Sequence, residues 1–215
     1  MNPLSNNRRF RRLALIGIMA ALLGGCASLR ETSAKYTLQE RDDSKGVVVG
    51  TVFERSVFVP YGAYFYLEAP DKERIVVSSG GNTGRYTITN VPPKVPKGVG
   101  STFALQLPPG KYRVAGWALD YGRQLKRSEG LSQPIDFEVV AGQVKYLGRL
   151  DANRFLELAS IHDNFQEDLP LFNKLPVKAS EIVNGSLNVK GWWLPNPAGK
   201  DIVERAGKGS RCEQC

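Results

Sequence analysis

Apolar and polar positions divide the chain into four regimes. Residues 13–25, LALIGIMAALLGG, form an unbroken run of apolar residues and glycines. Residues 27–45 are polar and carry no sustained apolar stripe, which reads as a tether with room for a short helix. From residue 46 to 194, short apolar segments recur between clusters of Gly, Pro and Asn, the spacing of β-strands rather than of long helices. Residues 195–215 are Gly, Lys and polar groups, expected to be loosely ordered.

Within the third regime the pattern predicts strands over 47–53, 63–67, 74–78, 85–91, 102–107 and 111–119. Residues 92–100, PPKVPKGVG, read as a loop because three prolines cannot donate to a sheet ladder. Residues 120–130 also read as a loop. Strands over 135–140 and 144–150 flank Ala141-Gly142-Gln143, a hairpin signal. A further strand is expected over 154–161, then a short helix from an Asp163 N-cap to Phe172, interrupted by Pro170. A second hairpin is expected around Asn184-Gly185. About eight short strands separated by turn signals imply a mainly β fold, a β-sandwich, in one domain spanning 46–194.

Composition supports this: 22 Gly and 13 Pro mark a turn-rich chain, and 42% hydrophobic residues suffice for a core. The formal charge of +8 is concentrated at the start. Four of the 29 basic residues and none of the 21 acidic ones precede residue 26, so the remainder carries only +4. That mild excess argues against a nucleic acid partner.

The N-terminus has the parts of a secretory signal over residues 1–25. Arg8, Arg9, Arg11 and Arg12 form a positive n-region ahead of the apolar run. As a helix that run would measure about 20 Å, too short for a hydrocarbon core of about 30 Å. Phe10 directly follows an arginine pair, whereas the twin-arginine motif places it one residue later, so the general secretory route is expected. Leu23-Gly24-Gly25-Cys26 resembles the lipobox of bacterial lipoproteins. The resemblance implies that the Cys26 thiol receives a diacylglycerol, that the chain is cut before Cys26, and that the new amine is acylated. Several acyl chains make such anchoring stable. Ala27, where aspartate would favour inner-membrane retention, points to the outer membrane of a Gram-negative cell, with a periplasm-facing domain. Residues 26–45 would then be the lipidated tether.

Two further segments, 84–93 (GRYTITNVPP) and 107–114 (LPPGKYRV), resemble the turn motifs of carboxypeptidase-regulatory-like, transthyretin-like sandwiches. Phe137-Glu138-Val139-Val140-Ala141-Gly142 with Tyr146-Leu147-Gly148 is similar to a hairpin of uncharacterised bacterial lipoproteins. These resemblances span about residues 46–150. The chain departs from the pattern in the proline-rich loop and extra strand between the two turn motifs. They imply an accessory or interaction module without a catalytic centre.

Candidate chemistry is sparse. His162 is the single histidine, with Ser160 and Asp163 nearby, but a triad is a spatial arrangement and adjacency in sequence does not make one. Cys212 and Cys215 form a C-x-x-C in the last four residues, where a disulfide in an oxidising compartment is the expected state. Zinc would need more ligands than these and one histidine. Trp192 and Trp193, with Tyr61, Tyr64 and Tyr66, are candidates for a sugar-stacking platform, although adjacent strand residues face opposite ways. The expectation is a non-catalytic structural or accessory lipoprotein, with no cofactor beyond the covalent lipid, no metal, and an envelope protein or cell-wall component as partner. The alternatives are a carbohydrate- or peptidoglycan-binding lipoprotein and, third, a hydrolase or thiol enzyme.

Overall fold

The computed structural model describes residues 33–55, 62–80, 85–86, 98–121, 125–128 and 135–194. The lipobox with Cys26, the tail with Cys212 and Cys215, and most of the strand expected over 85–91 lie outside them.

Two sheets face each other as a β-sandwich. The larger has seven strands. β12 (Val189–Trp193), β10 (Leu158–His162), β9 (Val144–Asn153), β1 (Gly46–Arg55), β5 (Gly98–Leu107) and β4 (Arg85–Tyr86) lie side by side. β11 (Ile182–Asn184) pairs with the first part of β9, whereas β10 pairs with its second part. The smaller sheet runs β3 (Arg74–Ser78), β2 (Ala63–Glu68), β6 (Gly110–Asp120). β7 (Leu125–Arg127) and β8 (Ile135–Val139) pair with successive parts of β6.

The inter-sheet core contains Val48, Val52, Phe65, Leu67, Phe103, Trp117, Leu150, Ile161 and Trp192. A second apolar cluster lies on the outer face of the large sheet. There Val47, Val49, Ala104, Val144 and Tyr146 are covered by Leu38 and by a helical segment bearing Phe172 and Leu175. β1 is therefore covered on both faces, which explains a run as apolar as GVVVGTVF in an otherwise alternating protein.

Several expectations are corrected. β8 and β9 do not form a hairpin: β8 joins β6 in the small sheet, and β9 joins β1 in the large one, in parallel. The turn at Ala141 and Gly142 is a crossing between sheets, tied to the entrance of β1 because Gly142 N donates to Lys45 O and Val47 N to Gln143 O. Nor is there a hairpin at Asn184-Gly185. β11 runs parallel to β9 and β12 antiparallel to β10. Asn184 instead accepts from Ser186 N, and Leu187 N donates to Leu147 O, carrying the chain across the sheet.

The expected strand over 154–161 opens with a turn at 154–157, where Glu157 has φ +51°. The expected loop over 120–130 contains β7. The helix after Asp163 is one four-residue turn, α1 (Phe165–Asp168), continued as a 3-10 helix from Leu169 to Lys174 with Pro170 near its start. Asp163 sits just before the N-cap residue Asn164 and accepts from Phe165 N at 3.1 Å.

The tether expected over 26–45 is also shorter than the polar pattern implies. From Ser33 the chain is docked as a strap across the side of the sandwich. Ser33 Oγ accepts from Val76 N of β3 at 2.8 Å, and Leu38 N donates to Ala104 O of β5 at 3.0 Å. Between them, Tyr36 packs against the inter-sheet core and its hydroxyl donates to Glu73. The strap's few apolar residues are spaced to meet two sheets rather than to form a stripe.

Candidate functional site

The most elaborate polar constellation lies under α1, on the outer face of the large sheet. A bulge builds it. Between Val49 and Thr51 of β1, β9 contributes an extra residue, so Tyr146 pairs with Val49 and Arg149 with Thr51. Gly148, at φ +121°, occupies the bulge, and a Cβ there would lie 2.8 Å from Ile161 Cγ2. The inserted residue turns Arg149 to the same face as Tyr146.

Both then converge on Asp168, which is fully buried at the end of α1. Tyr146 OH and Thr51 Oγ1 each donate to Asp168 Oδ2 at 2.7 Å, and the Arg149 guanidinium donates to Oδ1. Burial, reinforced by the Asp168 carboxylate, pushes the Tyr146 phenol well above its ordinary range. Burial alone would lower the Arg149 pKa; the hydrogen bonds and charge of Asp168 outweigh it, and the net shift is upward. The carboxylate is thus enclosed by donors from β1 and β9. Chemically this is a staple that fixes the helical segment to the sheet.

Farther along the same face, Asp151 is 4% exposed and accepts from Arg55 Nε at 2.7 and 2.9 Å. Ser160 stands opposite Asp151 in the β9–β10 register, and His162 opposite Arg149. No Ser160–His162–Asp163 cluster forms: Asp163 is exposed and accepts from Asn184 Nδ2 and Ser186 Oγ, while Ser160 Oγ accepts from Gly191 N at 3.4 Å. Burial lowers the His162 pKa; Asp151 opposes this, while Arg55, Arg149 and Lys190 add to it.

The consequence for stability has a definite sign. The unfolded chain takes up the imidazole proton first, near the ordinary value of about 6.5, so stability declines as pH falls below that value. In urea unfolding followed between about pH 7 and 5, His162→Gln is expected to flatten the decline. An unchanged profile would assign it to carboxylates instead.

A second polar cluster closes one end of the sandwich between the sheets. Glu54, fully buried at the end of β1, accepts from Arg154 Nε at 2.7 Å and from Ser79 Oγ at 3.1 Å. The Arg154 guanidinium lies 4.8 Å from the Tyr121 ring centroid. Tyr121 OH and Lys126 Nζ both donate to Glu157 Oε1, at 2.7 and 2.6 Å. Burial, with Glu157 adding, raises the Tyr121 pKa far above its usual value.

The two tryptophans part as strand alternation requires. Trp192 is 4% exposed, edge-on to Phe65 in the core, whereas Trp193 faces the other way and is half-buried beside Leu158. Tyr64 and Tyr66 lie on the small sheet, on the face turned away from Phe65, with Arg74 stacked over Tyr66 at 5.3 Å. A joint tryptophan–tyrosine platform does not form from Trp192, Trp193, Tyr64 and Tyr66; Tyr61 lies outside the described residues.

Sequence reasoning missed the Asp168 and Glu54 clusters. Its available signal was Gly148 interrupting an apolar strand, followed by Arg149 and Asp151. Among the described residues no group of three or more His, Cys, Asp or Glu is placed to hold a metal, and no helix is long and apolar enough to cross a membrane. Comparison with protein-family models, with curated proteins and with solved structures returns no match for this chain.

Proposed function

We propose that this chain is a lipid-anchored envelope protein whose sandwich acts as a non-catalytic accessory or interaction module. The observation that carries the reading is the use made of buried carboxylates. Asp168 fastens α1 to β1 and β9, and Glu54 fastens the 154–157 turn to β1 and to Ser79, just past β3. Such groups hold a scaffold in shape. The signal-like start and the lipobox resemblance at Cys26 support a membrane location for that scaffold, with the outer membrane and a periplasm-facing domain as the corresponding reading.

A second reading, a glycan- or peptidoglycan-binding lipoprotein, draws on Trp193, which stays half-exposed on the edge strand β12. A hydrolase or thiol enzyme would depend on His162 or on Cys212 and Cys215, and would lose function on His162→Ala or on removal of Cys212.

The test is mild crosslinking in a Gram-negative host followed by affinity capture, comparing wild type with Cys26→Ser. The wild type is expected in the membrane fraction with a lipid-modified Cys26 at its mature N-terminus. The serine variant is expected to lose that modification entirely, and with it capture of a specific envelope protein. Recovery of cell-wall fragments without a protein partner would favour the second reading. A wild type carrying an unmodified Cys26 thiol would overturn the anchor.

A further inference from the structure

The 154–157 turn displays an aromatic side chain that the rest of the end cluster holds in place. Phe155 is 79% exposed, whereas the residues on either side of it are tied down. Arg154 N donates to Arg55 O at 3.1 Å, and its guanidinium reaches Glu54 and the carbonyl of Gly62. Leu156 N donates to Asn153 Oδ1 at 3.0 Å. Glu157, in the left-handed region at φ +51°, receives Tyr121 and Lys126 at its side chain, and Leu194 N donates to its carbonyl. A non-glycine residue keeps that conformation where its surroundings over-determine it. The turn therefore cannot fold Phe155 back onto the domain without breaking these bonds. Leu125, 40% exposed, lies next to Lys126 on β7 at the same end.

The strap says what faces this end. Ser33, its first described residue, is bonded to Val76 of β3, and Tyr36 to Glu73 just before β3. The strap thus starts at the middle of β3 and runs toward Glu73, away from Ser79 and the Phe155 end. Val76 is about 10 Å along the strand from Ser79. Seven residue steps separate Cys26 from Ser33, a span of at most about 25 Å even when fully extended. A lipid on Cys26 would therefore leave this end of the domain, about 10 Å from Val76, within reach of the bilayer. Arg55 and Lys126, partly exposed and paired with Asp151 and Glu157, flank it.

We infer that the end of the sandwich bearing Phe155 rests on the membrane that holds Cys26, with the Phe155 ring inserted at headgroup level. The inference rests on the lipid-anchor reading above. It assigns the anchored domain an orientation: the opposite end, at the Ala141–Gly142 turn, points away from the bilayer and is left for partners.

The test replaces Phe155 by photoreactive p-benzoylphenylalanine in the full chain, expressed in the bacterial host and checked for lipid on Cys26. Because Phe155 is exposed, the substitution leaves the packing of the core untouched. The same replacement at Val183, 48% exposed on β11 toward the opposite end, is the control. After irradiation, position 155 is expected to give phospholipid adducts at least tenfold more abundant than position 183. Protein adducts alone at 155, or equal lipid adducts at both positions, would overturn the orientation while leaving the anchor standing. Loss of the lipid on Cys26 in the unsubstituted chain would overturn both.

Discussion

Replacing Asp168 by alanine is expected to destabilise the protein by about 3–5 kcal/mol, because it leaves the Arg149 charge buried without its partner. Arg149 is only 5% exposed, and Glu167, its other acidic neighbour, is 3.5 Å away and largely in solvent. Thr51 and Tyr146 would each lose an acceptor in the same step. Urea unfolding should show the transition midpoint falling with an unchanged slope, the mark of a stability change alone. Removing both charges together tests the cause. A buried ion pair replaced by apolar residues of similar volume is often neutral or better, so Arg149→Met with Asp168→Leu should recover most of the loss. A single-variant cost under about 1 kcal/mol would place Asp168 in solvent-like surroundings instead.

The second large effect separates the two tryptophans. Trp192→Ala is expected to cost about 3–5 kcal/mol, the usual penalty for emptying a large aromatic site in a core. Trp192 sits opposite Ala159 on β10 and edge-on to Phe65 of the facing sheet, so the void would open between the two layers. Trp193→Ala, on a half-buried side chain of an edge strand, should cost about 1 kcal/mol or less. Thermal or urea unfolding of the pair measures the difference directly. Equal costs would mean that β12 does not present alternate faces. If Trp193→Ala abolished glycan capture while keeping the fold, the binding reading would move ahead.

The sandwich was legible from local pattern alone. β3 falls where RIVVS predicts it, and β1, β2 and β6 start and end within two residues of the predicted bounds. Alternation, β-branched residues and turn residues report strands one at a time. They do not report which strand lies beside which. Ala141-Gly142 marks a turn correctly, yet the chain leaving it enters the other sheet, because β9 finds its neighbour in β1 rather than in β8. The Asp168 cluster was hidden for the same reason. Thr51 and Asp168 stand 117 residues apart, and Arg149 reaches Asp168 only through the Gly148 bulge. The strap was hidden because Ser33, Tyr36 and Leu38 meet different sheets, leaving no single periodicity to detect.

The parallel pairing of β1 with β9 also sets the order in which the domain can be completed. β1 is the first strand among the described residues and lies in the middle of the large sheet, yet one of its two neighbours comes from far downstream: Arg55 and Asp151, which join the ends of β1 and β9, are 96 residues apart. Non-local pairings of this kind must meet their loop-closure cost before they gain any contact, which slows folding. Until β9 has arrived, the apolar run of β1 has an open hydrogen-bonding edge, the kind of surface that invites association between incomplete chains. A chain moved across a membrane from its N-terminus would expose that edge for most of its passage. The exposure ends when β9 takes its place beside β1.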